Sequence, residues 1–336
     1  MIAAVHFRNF KALRSAAVRL EPFNLFIGPS GSGKTSLITA LLQLRTLSAL
    51  PVVHAPEIKK PARSGPQIEF HFNPPFNHVR VTLSCRSDES ACNLLVVDHP
   101  PGIVGVGLWG DLRTQLQSIR SFLFDHTAMP APARRAEGEE LSSSGGNLAA
   151  VLAVRREKSP AAMARLEAEF CRIMPEFGGL DFCEVGQGKF ELLARLADRS
   201  EILSADKLSQ GTLYLLAILA LAHAPEPPGL VCIEEVDRGV HPRLLREVRD
   251  ALYRLSYPPS DNGEARAPTQ VIATTHSPYL LDLFKEHPEE VVLANKQGNA
   301  ATFVRLSERT DLRDMMRETN LGDLWYSGIL GGVPRE

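Results

Sequence analysis

Four short stretches of this 336-residue chain hold side chains suited to one chemistry, the handling of a polyphosphate. The first is Gly28-Pro29-Ser30-Gly31-Ser32-Gly33-Lys34-Thr35. It fits G-x-x-x-x-G-K-[ST] and lies between an apolar strand and a helical pattern, the context this mechanism requires. Its glycines let main-chain N–H groups turn inward around phosphate oxygens, and the following helix aims the positive end of its dipole at them. Lys34 then supplies a point charge to the β- and γ-phosphates, and the Thr35 hydroxyl is a ligand for Mg²⁺. The second stretch, Leu230-Val231-Cys232-Ile233-Glu234-Glu235, is an apolar strand ending in two acids. Ligands of a parallel sheet gather beyond the carboxyl ends of its strands, so both carboxylates are expected to project toward the phosphates. Glu234 is then the Mg²⁺-associated acid, and Glu235 polarises the attacking water. Alone, such a pair is more often a solvated strand end.

The third stretch, Val271 to His276, is another buried-looking strand, here ending in histidine before Ser277-Pro278. A lone histidine is usually structural, but one at this end of a sheet can donate to a γ-phosphate or position the water. The fourth, Leu208-Ser209-Gln210-Gly211-Thr212, precedes an apolar helix. Its bland reading is a helix N-cap; it is also a second anion site, useful if two copies meet head to tail over shared nucleotides.

These residues need a framework, and the hydrophobic pattern supplies one. Strands are expected over 2–10, 16–20 and 24–27, a helix over 36–50, and an antiparallel meander in QIEFHF, VRVTLSC and NLLVVDH between 67 and 99. Residues 128–147 lack a hydrophobic period and are rich in Ala, Pro, Ser, Gly and charge, which predicts a mobile surface loop. A helix is expected over 160–174, and two strands joined at Gly186-Gln187-Gly188 over 180–196. Beyond Ser209, helices (212–222, 242–255, 278–285) alternate with strands (229–233, 270–275), the pattern of a parallel sheet covered by helices. The fold class is therefore α/β. One domain over 1–336 is expected, in four parts: 1–60 with the glycine turn, 61–105 as a β lobe, 106–207 as a helical insert, and 208–336 with the later motifs.

Composition narrows the function further. Hydrophobic residues are 44% and charged residues 23%, ordinary for a folded soluble chain, and 37 Lys plus Arg against 39 Asp plus Glu leave a net charge of −2. No global basic field advertises nucleic acid. The longest uncharged apolar run, Leu213 to Ala222, is well short of the roughly 18 residues that span a bilayer, and no secretory leader is read at Met1 to Lys11. A cytoplasmic chain without a membrane partner is expected. Its five cysteines are odd in number and never spaced C-x-x-C, so they read as reduced filler.

GPSGSGKT, LSQGT, LVCIEE, Asp237 and TTHSP fall in the order of the Walker A, signature, Walker B, D-loop and switch-histidine motifs, and so resemble those of ABC-type ATPases. HFRNFKAL and EEVDRGVHP look like the RecF, SMC and OLD branch, and the whole chain is similar to compact AAA-domain ATPases of bacterial phage-defence and toxin–antitoxin (abortive infection) loci. The resemblance implies a P-loop NTPase of ABC-head type with an inserted antiparallel β lobe and a helical lobe. It implies ATP bound by Gly28, Ser30, Gly31, Ser32, Gly33, Lys34, Thr35 and Ser36, with Mg²⁺ held by Thr35 and Glu234. Ser209 and Gly211 would meet the partner's γ-phosphate, Glu235 would be catalytic, His276 the switch residue, and Lys11 or Arg8 a nucleotide contact. A glutamine that senses Mg²⁺ is Gln115 or Gln117, of which Gln117 is taken. Glu234 and Gln210 depart from the aspartate and glycine commoner at their positions.

The partners implied are an ATP-dependent homodimer, an effector or nuclease subunit, and DNA. Arg243, Arg246, Arg249, Arg134, Arg135, Arg155, Arg156 and Lys158 read by default as solvated surface charge, so DNA rests on the resemblance alone. Long heptad arms are absent between Thr35 and Leu208, and no dense acidic cluster follows His276, which sets the chain apart from SMC proteins and from OLD nucleases with their appended nuclease domain. The rival expectation is an ATP-gated regulatory or antitoxin-like subunit with little turnover; the Glu235 and His276 pair favours hydrolysis.

Overall fold

The computed structural model describes residues 1–50, 65–85, 92–98, 106–198, 201–258, 266–298, 300–317 and 319–331. In chain order its elements are β1 (Ile2–Phe10), β2 (Leu13–Arg19), β3 (Phe23–Ile27), α1 (Lys34–Ala49), β4 (Gln67–Phe72), β5 (Arg80–Cys85), β6 (Cys92–Asp98), α2 (Val106–Gln117) and β7 (Ile119–Phe122). There follow β8 (Ala133–Arg134), α3 (Leu148–Lys158), α4 (Pro160–Ile173), β9 (Phe177–Glu184), β10 (Lys189–Leu196), β11 (Ile202–Ser204), α5 (Gln210–Ala222) and β12 (Leu230–Ile233). The chain ends through α6 (Leu245–Ser256), β13 (Gln270–Thr275), α7 (Pro278–Asp282), β14 (Val291–Gln297), β15 (Ala300–Arg305), α8 (Leu312–Met315) and α9 (Leu321–Tyr326). Two compact units share these elements: residues 1–121, 228–232 and 269–336 form the first, and 122–227 with 233–268 the second.

The first unit carries two sheets. One has the order β15-β14-β3-β13-β12-β7, in which β3 runs parallel to both β13 and β14 while β15 is antiparallel to β14. All five residues of β3 and all six of β13 are buried, as strands covered on both faces require. This is the α/β class expected. The other sheet, ordered β2-β1-β4-β5-β6, is antiparallel, and β4 shows why: in Gln67-Ile68-Glu69-Phe70-His71-Phe72 the second, fourth and sixth residues are buried and the others half-buried. The meander of β4, β5 and β6 forms as expected, but β1 and β2 join it, with Val5 opposite Phe70 and Phe7 opposite Ile68. That pairing bridges distant stretches of chain, which local alternation does not encode.

One expectation fails here. Cys85 and Cys92 face each other across β5 and β6 and are joined in a disulfide, so these two are not reduced filler. The pairing depends on strand register, to which a search for C-x-x-C spacing is blind.

The second unit pairs β10 with β9, β11 and β8, all antiparallel, and β9 and β10 meet at the positive-φ turn Gly186-Gln187-Gly188 as the sequence predicts. Helix α5 is buried from Gly211 to Ala222, the signature of a helix apolar all round. In α4, burial of Ala162, Met163, Leu166 and Phe170 follows the helical period. Glu169 on this helix accepts from His223 Nε2 at 2.6 Å and from Arg254 Nη2 of α6 at 2.5 Å, tying helices together. The stretch 128–147 holds more structure than its composition suggests. It contains β8, and the Asn147 amide donates to the Glu137 and Glu140 carbonyls while accepting from Ser142 N–H.

Candidate functional site: a glycine-rich loop at the carboxyl end of a parallel sheet

Within the first unit, Ile27 at the end of β3 pairs with Thr275 of β13 and Leu293 of β14. Gly28 and His276 therefore follow two neighbouring strands at their carboxyl ends, beside Ala294 within β14, where a parallel sheet presents its ligand site. Gly28 must be glycine: an added Cβ would lie 2.1 Å from the Ala294 carbonyl oxygen. Gly31 and Gly33 have φ of +74° and +94°, and a Cβ on Gly33 would meet Leu13 Cδ2 at 2.8 Å. The loop is thus pressed onto β14 and β15 by residues without side chains, leaving its main chain available to a ligand.

Lys34 is buried, and its Nζ donates to the Gly28 carbonyl at 2.7 Å and the Pro29 carbonyl at 2.9 Å, with Ser32 Oγ at 3.5 Å. Its charge lies inside the turn that the glycines make. Helix α1 begins at Lys34, has no acid in its first turn and no side-chain cap at Gly33, so nothing of the first turn neutralises the positive end of its dipole. Ser32 is buried, Ser30 and Thr35 are exposed, and Ser36 is half-buried in the same turn. Hard oxygen donors at such a helix terminus are the chemistry of polyphosphate and Mg²⁺, and Ser30, Ser32, Thr35 and Ser36 are residues of that kind.

Lys11 lies one turn further along α1, its Nζ donating to Thr39 Oγ1 at 3.3 Å, and Thr39 in turn donates to the Thr35 carbonyl. Arg8 instead lines a cavity on the antiparallel sheet. Exposed His276 follows β13, and Thr275 Oγ1 and Ser277 Oγ accept from the N–H groups of Ser277 and Leu280, fixing the turn after it. Gln117 is exposed at the end of α2, just before the edge strand β7. Sequence reasoning missed Lys296 on β14, whose Nζ is 3.2 Å from where a Cβ on Gly31 would stand. Its signal was the continuous apolar run Val291 to Ala294, the mark of a strand buried on both faces, as β14 is beside the loop.

The second unit holds the acids and the serine-glycine motif. Glu234 N–H donates to the Phe122 carbonyl at 2.9 Å. Glu235 is a non-glycine residue at φ +51°, with its carboxylate about half exposed and 3.4 Å from Arg238. A bulky residue held in that region is strained, and such strain concentrates at functional positions. The Asp237 main-chain carbonyl accepts from Val240 N–H in the following turn. That turn meets the serine-glycine motif: a Cβ on Gly211 would lie 2.7 Å from the Gly239 carbonyl oxygen, and Gly239 packs on Gln210. Ser209 does act as an N-cap, its Oγ accepting from Thr212 N–H at 3.1 Å.

The basic side chains weighed above for DNA are largely committed internally. Arg135 pairs with Glu157, Lys158 with Glu139, Arg156 with Glu167 and Arg249 with Asp250. Arg155 donates to the Ala220 carbonyl, and burial pulls its guanidinium down to about 10.

Among the described residues, no helix is long and apolar enough to cross a membrane. An "OLD nuclease" of Thermus scotoductus is 24% identical over 372 aligned positions, covering 96% of this chain and 68% of that protein. The "SMC head domain from Thermotoga maritima" is 16% identical, with a TM-score of 0.48 over 90% of this chain and 98% of that one. The family described as "AAA domain, putative AbiEii toxin, Type IV TA system" matches residues 114–282, a span that holds the serine-glycine motif, the paired glutamates and His276. The match covers half of the sequence, and the chain belongs to this AAA-domain family.

Proposed function

We propose that the chain binds ATP with Mg²⁺, dimerises head to tail around it, and hydrolyses it to ADP and phosphate, coupling this cycle to DNA or to an effector or nuclease subunit in bacterial defence or DNA maintenance. The observation that carries the reading is the buried Lys34 ammonium enclosed by Gly28 and Pro29 at the start of α1, whose first turn holds no acid. Ser30, Ser32, Ser36 and the main-chain N–H groups of Gly28, Gly31 and Gly33 hold the phosphates, while Lys34 offsets charge on the γ-phosphoryl oxygens. Thr35, Glu234 and Gln117 would hold Mg²⁺, which supplies charge neutralisation at the β- and γ-phosphates. Glu235 accepts the proton of the attacking water, and His276 orients it. Ser209 and Gly211 of a second copy, with Asp237 beside them, close over the nucleotide; Lys11 touches its outer side. The accessible carboxylate of Glu235 supports turnover over a purely regulatory subunit.

Phosphate release from ATP tests the reading. The parental protein is expected to turn over, Lys34→Ala to lose nucleotide binding, and Glu235→Gln to keep binding while turnover falls about 100-fold or more. Parental turnover in Glu235→Gln removes that residue from the role. Repeating the assay with duplex DNA at two salt concentrations reads the coupling, since phosphate contacts weaken steeply with salt.

A further inference from the structure

The antiparallel sheet of the first unit has two unlike faces. Val5, Phe7, Ile68, Phe70, Val81 and Leu83 are buried on one. On the other, register sets His6 of β1 opposite Glu69 of β4, and His71 follows two residues later on the same face. One ligand atom from each of His6, Glu69 and His71 lies within 4.8 Å of the other two. The imidazole rings are 4.9 Å apart between centroids, and His71 Nε2 is 2.6 Å from Glu69 Oε1. Arg80 Nε also approaches Glu69 Oε1, at 3.4 Å, which leaves the second carboxylate oxygen for another partner.

Two imidazoles and one carboxylate are the donor set of a site with open coordination positions. Bonds of about 2.0–2.2 Å place tetrahedral ligands roughly 3.5 Å apart, so small side-chain rotations close this cluster on an ion. The same nitrogen-rich set discriminates against Mg²⁺, which demands oxygen, and so separates this cluster from the chemistry at Thr35. Beside it is a cavity of about 390 Å³ lined by His6 and Glu69 and by Arg8, Arg14, Ser15 and Thr82.

We propose that His6, Glu69 and His71 form a binding site for a divalent transition metal of the zinc type, with its open coordination facing the cavity. The two arginines of the wall make a small anion the natural exchangeable ligand. None of the three residues belongs to the nucleotide machinery, and the site stands or falls independently of ATP binding.

The test is titration of the tag-free, full-length, EDTA-stripped protein with Zn²⁺ by calorimetry and with Co²⁺ by visible absorption, without nucleotide. The expected result is one saturable ion per chain, a tetrahedral-type Co²⁺ spectrum, and affinity reduced at least about tenfold in each of His6→Ala and Glu69→Gln. His6 is exposed, so its replacement leaves the sheet core intact, and unchanged thermal unfolding of the metal-free variant verifies this. No saturable Zn²⁺ binding, or binding equally tight in both variants, overturns the proposal.

Discussion

Gly28 is where residue type and position are least negotiable. Gly28→Ala forces a methyl to within 2.1 Å of a backbone oxygen on β14, so either the loop or the strand must move. The expected outcome is a loss of about 2–3 kcal/mol in denaturant unfolding together with loss of ATP binding. Lys296 makes a milder prediction. An exposed ammonium over the loop contributes on the order of 1 kcal/mol, so Lys296→Ala should weaken ATP binding roughly fivefold in an equilibrium titration and leave stability unchanged. Glycines, lysine and threonine at fixed spacing were legible because the phosphate chemistry prescribes them residue by residue. Lys296 was not, since it reaches the loop from a strand more than two hundred residues away in the chain.

At the level of elements, Glu169 links α4 to α6 and to His223 at the end of α5. Burial on its own raises this carboxyl, but the hydrogen bond from His223 and the charge of Arg254 outweigh it and hold the group below its ordinary value. A depressed carboxylate stabilises the fold above its unfolded value of about 4.5 and loses that contribution as pH falls through the lower folded value. Glu169→Gln should therefore cost about 1–3 kcal/mol in urea unfolding at neutral pH, and its gap from the parental protein should narrow below that unfolded value. Strands with strict alternation, such as β4, and apolar strands between turn residues, such as β3 and β13, were readable because burial writes itself into the local pattern. What joined β1 to β4 and β8 to β10 was register between distant segments, and even Cys85 and Cys92, seven residues apart, met through the register of β5 and β6, which no local pattern carries. The His6, Glu69 and His71 cluster was invisible for the same reason.

For the whole molecule, the proposed ATP-dependent homodimer is the feature most open to direct measurement. The serine-glycine motif caps α5 and rests on the turn that follows the paired glutamates, so a nucleotide that engages it in a second protomer also engages that turn. Sedimentation equilibrium of Glu235→Gln reads this directly. The prediction is a dimer with Mg²⁺ and ATP, a monomer with Mg²⁺ and ADP, and a monomer throughout for Lys34→Ala. A Glu235→Gln protein saturated with ATP yet monomeric at micromolar concentration would contradict it.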